Sequence, residues 1–425
     1  MPQTVIPFGS PDAHRIQSVG LFAATLQRTT NLNRLTGTMP KQADAENRAR
    51  LQTSTDYPIV RVMDLTKNAG DEVTFDLINH IGGKPIMGER MAEGRGVKMS
   101  FAQDRLRINQ TRKPISAGGK MTQQRTPHEL RPLARAEGQG YMDRLVDQLT
   151  IVHLAGARGQ HTPEWVVPLE NDPDFTEICV NPVKAPTANR HFIATSDGIE
   201  RFNVNAGEVN LLTTETLSMD VLDAISTTME SMGYAPAPVK FDGDMMAADE
   251  PLRVLMVSPE QHMAFVKTGN FRMLQATAAA RSTQAKNNPI FMGQAGIWAG
   301  VLMVKMPKPI RFYGGQPIRY CADASSEVES VALVPESFRA AGYAVDRAIL
   351  LGSQALGQAF GKERGSGVPF FWSEKMLDHG DKLEVLIGMV AGMSKIRFLV
   401  DNDGVPYPTD NGVVVIDTAV KIATT

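Results

Sequence analysis

The run Glu72–Ile78, EVTFDLI, alternates cleanly, with Val73, Phe75 and Leu77 on one face and Thr74 and Asp76 on the other. This is the period of a half-buried strand. The next matching apolar stretch, Val97 to Ile108 with Met99, Phe101, Leu106 and Ile108, lies beyond HIGGKPIMGERMAEGRG, a segment full of glycine and charge. Together they predict a long hairpin with a polar end. From Lys84 to Lys113 there are eight basic residues (Lys84, Arg90, Arg95, Lys98, Arg105, Arg107, Arg112, Lys113) against three acidic ones (Glu89, Glu93, Asp104). The plain reading is a solvated surface ribbon. However, a two-stranded ribbon alone is marginally stable in water, and its open edges invite pairing. It would gain stability by lying on another subunit.

The elements around this hairpin are uneven in length. Residues 1–56 form a polar arm rich in Thr, Gln, Asn and Arg, too poor in apolar residues to build a core of its own. Tyr57 to Leu65, YPIVRVMDL, reads as a buried strand. Thr126-Pro127-His128-Glu129 has the form of a capping box with proline at the first helical position. Leu130, Leu133, Ala134, Tyr141, Leu145, Leu149 and Val152 then keep a helical period up to Gly156. A helix over about 127–156 would be a spine on the order of 40 Å long. Gly138 and Gly140 weaken it by about 1 kcal/mol each relative to alanine, which predicts close packing across that point.

The pattern breaks up over 160–212, read as an insertion of loops and short strands. Helices are predicted from Glu215 to Met232, from Ser258-Pro259-Glu260-Gln261 to about Lys267, and over Ala276–Lys286. Leu252–Val257, Ile297–Met306 and Val331–Val334 read as strands. Tyr343–Phe360 reads as an apolar helix stopped by Gly361, and Lys382–Ala391 with Ser394–Val400 as a hairpin turning at Gly392. Irregular alternation without repeats makes the chain α+β.

Chemistry-bearing motifs are weak. Gly357–Glu363 resembles a phosphate loop, but the spacing is one residue short and Glu363 stands where a hydroxyl is required. The eight histidines are scattered, the carboxylates form no evident dyad, and Cys179 and Cys321 lie far apart without a local basic cluster. The expectation is therefore no catalytic, cofactor-binding or metal residue, and a reducing cytoplasm. No apolar run approaches the roughly 18 residues of a membrane helix, and the N-terminus lacks a secretory pattern. With 44 Lys and Arg against 46 Asp and Glu, net −2, the chain does not blanket nucleic acid with positive charge, although it could still enclose it.

The order of parts resembles the HK97-fold major capsid proteins of tailed bacteriophages. More narrowly, KNAGDEVTFDL (67–77), AGGKMTQQRTPHELRPLAR (117–135), NNPIFMGQAGIWAGVLM (287–303) and AILLGSQALGQAFG (348–361) are similar to the N4-gp56-like family of such proteins. The resemblance implies an N-terminal arm (1–56), an E-loop (72–112) and a peripheral P-domain (57–71, 113–159 and 365–425). It also implies an axial A-domain (213–364), with 160–212 as the insertion.

Copies of the chain would form hexamers and pentamers of an icosahedral shell enclosing double-stranded DNA without binding it sequence-specifically. Portal protein, and scaffold or decoration proteins, would be partners; no membrane is involved. Assembly would take place in the host bacterial cytoplasm and the product would be the virion. The E-loop residues Lys84, Arg90, Arg95, Lys98, Arg105 and Arg107 would contact acidic surface on a neighbour. Gly82, Gly83, Gly94, Gly96, Gly118 and Gly119 would be hinges. The arm is too short to include the scaffolding segment that some relatives cleave off, so a separate scaffold, or none, is expected. Lys84 and Lys98 have no identifiable asparagine partner, so no covalent cross-link is expected. The alternatives are an encapsulin-type compartment or an enzyme with an unrecognised site.

Overall fold

The computed structural model describes residues 35–39, 52–63, 65, 70–78, 85–88, 90, 91, 93, 94, 101–126, 129–162, 164–242, 244, 247, 249–267, 275–278, 280, 296–306, 308–363, 368–402 and 405–422. The fold is α+β, as expected.

At its centre is an eight-stranded sheet in the order β10 (Gly296–Trp298), β11 (Val301–Lys305), β9 (Arg253–Val257), β15 (Tyr343–Leu351), β21 (Val413–Lys421), β5 (His191–Thr195) and β6 (Gly198–Arg201), with β12 (Arg311–Phe312) also on β15. Side chains sort by strand parity. Val254, Met256, Leu302, Val345, Ile349, Leu351, Val413 and Val415 join one core. Their neighbours Leu255, Val257, Val301, Met303, Ala348, Leu350, Val414 and Ile416 join a second core on the opposite face. That second face is covered by helix α4 (Met219–Ser231) through Val221, Leu222, Ile225 and Met229, and by Phe265 of α5 (Pro259–Val266).

Burial on both faces explains a misreading. Tyr343–Phe360 is not a helix: it is β15, a turn at Ser353–Gln354, and β16 (Leu356–Phe360). A strand with no solvent face has no alternation, so its apolar run looks the same as a buried helix.

β16 belongs to a second sheet, ordered β1 (Ile59–Val62), β16, β18 (Lys382–Lys395), β17 (Phe370–Leu377), with β4 (Asn109–Gly119) also on β18. β18 is one continuous strand of 14 residues. It runs straight through Gly392, so the expected hairpin turn there is absent, and the chain reverses later, between β19 (Arg397–Asn402) and β20 (Val405–Asp410). Of the arm, Leu35 is buried and its carbonyl accepts from Ile59 N at 3.2 Å, while Thr53 N donates to Arg61 O at 3.0 Å. The described arm residues thus flank β1.

The spine is α2 (Leu130–Ala155), 26 residues and about 39 Å long. It starts later than the sequence suggests, since Thr126 ends the short helix α1 (Lys120–Arg125), and 127–128 lie outside the described residues. Leu130 N is capped by Gln123 Oε1 at 3.2 Å instead of by a capping box. The expected box at Ser258 does form: Ser258 Oγ accepts from Gln261 N at 3.1 Å and Gln261 Oε1 from Ser258 N at 2.7 Å. Every residue of α2 from Gln148 to Ala155 is buried, so the helix leaves the surface and ends inside the core.

The segment 160–212 contains α3 (Phe175–Cys179), β5, β6, β7 (Val204–Asn205) and β8 (Glu208–Val209). It therefore supplies two strands of the central sheet. β7 and β8 pair on in the order β13 (Pro317–Cys321), β14 (Glu329–Leu333), β8, β7, and the short α6 (Ser337–Ala341) follows β14. Residues 275–278 and 280 are helical; 281–286 lie outside the described residues.

Candidate assembly surfaces

The hairpin pairs β2 (Glu72–Ile78) with β3 (Phe101–Arg107) in the register Glu72–Arg107 through Ile78–Phe101. Its inner face, Val73 and Leu106, packs with Val60, Val62, Leu65 and Ala359. The glycines of β16 and β18 mark where it lands. A Cβ on Gly357 would lie 2.7 Å from the Phe75 ring, and one on Gly361 2.7 Å from Ile108 Cδ1. A Cβ on Gly392 would overlap the Arg107 carbonyl oxygen. Gly357 and Gly361, which mimic a phosphate loop in the sequence, thus make room for the ribbon and lie at β16, not at the end of a helix.

Polar bonds lock the same base. Asp104 is 3.0 Å from Lys184 Nζ and accepts from Arg397 N at 2.9 Å. Asn181 accepts from Arg107 N and donates to Arg107 O, both at 2.9 Å, and donates to Met393 O at 3.2 Å.

Of the six predicted contact residues, Lys84, Arg95 and Lys98 lie outside the described residues. Arg90 and Arg105 are exposed. Arg107 is exposed too, with Nε 2.6 Å from Glu72 Oε1 across its own hairpin. Among the glycines, Gly82, Gly83 and Gly96 lie outside the described residues. Gly94 and Gly118 adopt φ of +76° and +78°, a conformation that glycine enters without a Cβ penalty. Gly119 faces Asp381 instead, and a Cβ there would lie 2.8 Å from Asp381 Oδ2.

Charge reasoning missed the apolar end of the ribbon. Met87 and Met91 are 69% and 71% exposed, Phe101 is 63% exposed, and Ile86 is exposed beside them. Their signal was present as apolar residues inside a glycine-rich polar segment that no local core could absorb.

Beneath the hairpin lies a buried ionic junction. Asp410 is 2.7 Å from both Lys395 Nζ and Arg397 Nε, and it accepts from Thr187 N at 3.2 Å. Burial opposes its ionisation, but the two cations outweigh burial and lower its pKa. Burial pushes Lys395 down to about 8 against the pull of Asp410. In the central sheet Arg347 pairs with Asp417 at 2.8 Å and donates to Ala155 O, at the end of the spine, at 3.0 Å. These groups join the spine, the sheets and the hairpin base. Burial also raises the Cys179 thiol to about 12, the reverse of a reactive cysteine.

Residues 5–422 match the phage capsid protein family. Among solved structures, the capsid of Ralstonia phage GP4 is similar at TM-score 0.66 and 26% identity, covering 100% of both chains. The cyanophage Pam1 capsid is similar at TM-score 0.58 and 17% identity, over 87% of this chain and 90% of that one. The head of Helicobacter pylori bacteriophage KHP40 follows at 0.52 and 9%, over 87% and 88%; these two share the fold alone. No curated protein matches the chain. With the HK97-like fold, the spine helix and the projecting hairpin in place, the chain belongs to the phage capsid protein family: it is a structural protein, a major capsid protein of the phage head shell.

Proposed function

We propose that this chain builds hexamers and pentamers that close into an icosahedral shell around double-stranded DNA, and that it belongs to the N4-gp56-like branch of capsid proteins. The observation that carries this is the hairpin 72–112. Its base is sunk into the subunit, while Ile86, Met87, Arg90 and Met91 are exposed. Exposed apolar side chains on a projecting ribbon fit burial against a neighbour. In this reading 57–71, 113–159 and 365–425 form the P-domain, 213–364 the A-domain and 1–56 the arm. The central sheet, which takes β5 and β6 from 160–212 and β21 from the C-terminal part, ties those two segments to the A-domain. Assembly takes place in the bacterial host's cytoplasm, with portal and scaffold or decoration proteins as further partners. The near-neutral chain, 44 basic against 46 acidic residues, suits a container that must release its DNA.

Deleting 84–96 tests the reading. The expected product is a soluble, folded subunit that forms no closed shell by electron microscopy. Normal shells would overturn it.

A further inference from the structure

The exposed end of the hairpin has a counterpart elsewhere on the same chain. A cavity of about 480 Å³ lies between α3, the end of the spine, β12 and the β13–β14 pair. Its floor is apolar, from Phe175 and Phe312, which are 6% and 2% exposed, and its outer wall is Val331, 59% exposed. Arg319 stands between Glu170 and Glu329, 3.0 and 2.9 Å from their carboxylates, so the one guanidinium there is already neutralised. The adjoining segment 171–177, NDPDFTE, adds Asp172, Asp174 and Glu177, all exposed, with no basic residue. The patch is therefore apolar inside and negative at the rim. The hairpin end complements it: Met87 and Met91 are outward with Arg90 exposed beside them, and the sequence 79–100 holds four basic residues (Lys84, Arg90, Arg95, Lys98) against two acidic ones (Glu89, Glu93).

We infer that this cavity receives the hairpin end of a second copy of the chain, with Met87 and Met91 against Phe175, Phe312 and Val331 and Arg90 over the acidic segment. This rests on the shell-forming reading and specifies the receiving site within it. Methionine suits the contact because its unbranched thioether fills irregular space. The charges fix orientation and exclude wrong partners more than they add affinity. Donor and receiver are different surfaces of one chain, which makes the contact head-to-tail. Such contacts close into rings when the rotation between copies permits. Lys184 lines the same cavity and holds Asp104 at the base of its own hairpin. Each copy thus anchors its own ribbon beside the place where it accepts its neighbour's.

Two measurements test this in the full chain. Particles of Met87→Cys/Val331→Cys, treated with a short bismaleimide, are expected to give denaturing-gel ladders from dimer upward, the native Cys179 and Cys321 being buried. Particles of the control Met87→Cys/Met376→Cys, whose second cysteine sits on exposed β17, should give none. Closed particles without a ladder from the first pair would overturn the inference and leave the shell reading intact. The second measurement does not depend on the cysteine variants assembling. Met87→Asp/Met91→Asp should keep the subunit's melting temperature and lose at least tenfold in shell yield. Unchanged yield would overturn the inference, whereas a wild-type chain forming no shells would overturn the reading beneath it.

Discussion

Asp410 shows how much of this fold hangs on single buried charges. It pairs with both Lys395 and Arg397, accepts from Thr187 N, and through its own carbonyl accepts from Arg190 Nε at 3.2 Å. The segment 160–212 and the β18–β20 region are thereby tied at one carboxylate. Removing one member of a buried ion pair strands the others, which typically costs about 3–5 kcal/mol. Asp410→Asn should therefore lower the melting temperature of the unassembled subunit far more than Asp378→Asn, whose pair with Lys382 is exposed on both sides and weak for that reason. Equal melting temperatures for the two variants would contradict this. Nothing in the sequence singles out Asp410, because its partners Lys395 and Arg397 come from across the β19–β20 turn and its amide donor lies 223 residues away.

At the scale of elements, the contact between spine and sheet is set by Gly138. A Cβ there would overlap Ile387 Cδ1 and lie 3.0 Å from Ile115 Cδ1, both on strands beneath the helix. Gly140 meets nothing within 4 Å. The expectation of close packing thus holds at one glycine and fails at the other, and the two substitutions should move stability in opposite directions. Gly138→Val forces the helix off the sheet, at a typical overpacking cost of about 1–3 kcal/mol. Gly140→Ala gains helix propensity, up to about 1 kcal/mol. Paired thermal melts decide, and a fall in both variants would show that Gly140 has a role the geometry does not account for. The same elements show what the sequence could reveal. The alternation of EVTFDLI and the period of the spine were legible because each has one buried face. Tyr343–Leu351 was not, because both of its faces are covered. Gly392 looks like a turn along the chain although it is a point of close approach to Arg107, since a glycine's neighbours in space are invisible in sequence. The exposure of Met87 and Met91 is hidden in the sequence by the charges around them.

At the scale of the whole molecule, His153 and His191 among the described residues are held neutral in the interior, and they give the fold an acid limit. His153 is wholly buried, with Nε2 3.3 Å from the Cys179 carbonyl, and burial moves its pKa down to about 4, with Lys395 and Lys184 adding repulsion. His191 is stacked on Phe202 at 3.9 Å and lies 2.7 Å from Asp417, so its Nε2 carries the proton and donates to the carboxylate. Burial takes its pKa to about 4 as well, against the pull of Asp417 and with Arg347 opposing a second charge. An unfolded histidine titrates near 6.5. Between about 6.5 and 4 the unfolded chain therefore binds more protons than the folded one, and stability falls as pH falls. The contribution is intact above about pH 6.5 and is lost by about pH 4, on the order of 3 kcal/mol for each histidine. Asp417, whose pKa is lowered by Arg347 and His191 despite burial, extends the loss to still lower pH. The melting temperature of the unassembled subunit should accordingly be flat near neutrality and drop steeply from pH 6.5 to 4.5. His153→Gln keeps a side-chain donor for Cys179 O but cannot titrate, so it should flatten that slope even if it lowers the plateau. An unchanged slope would place the acid limit in other groups.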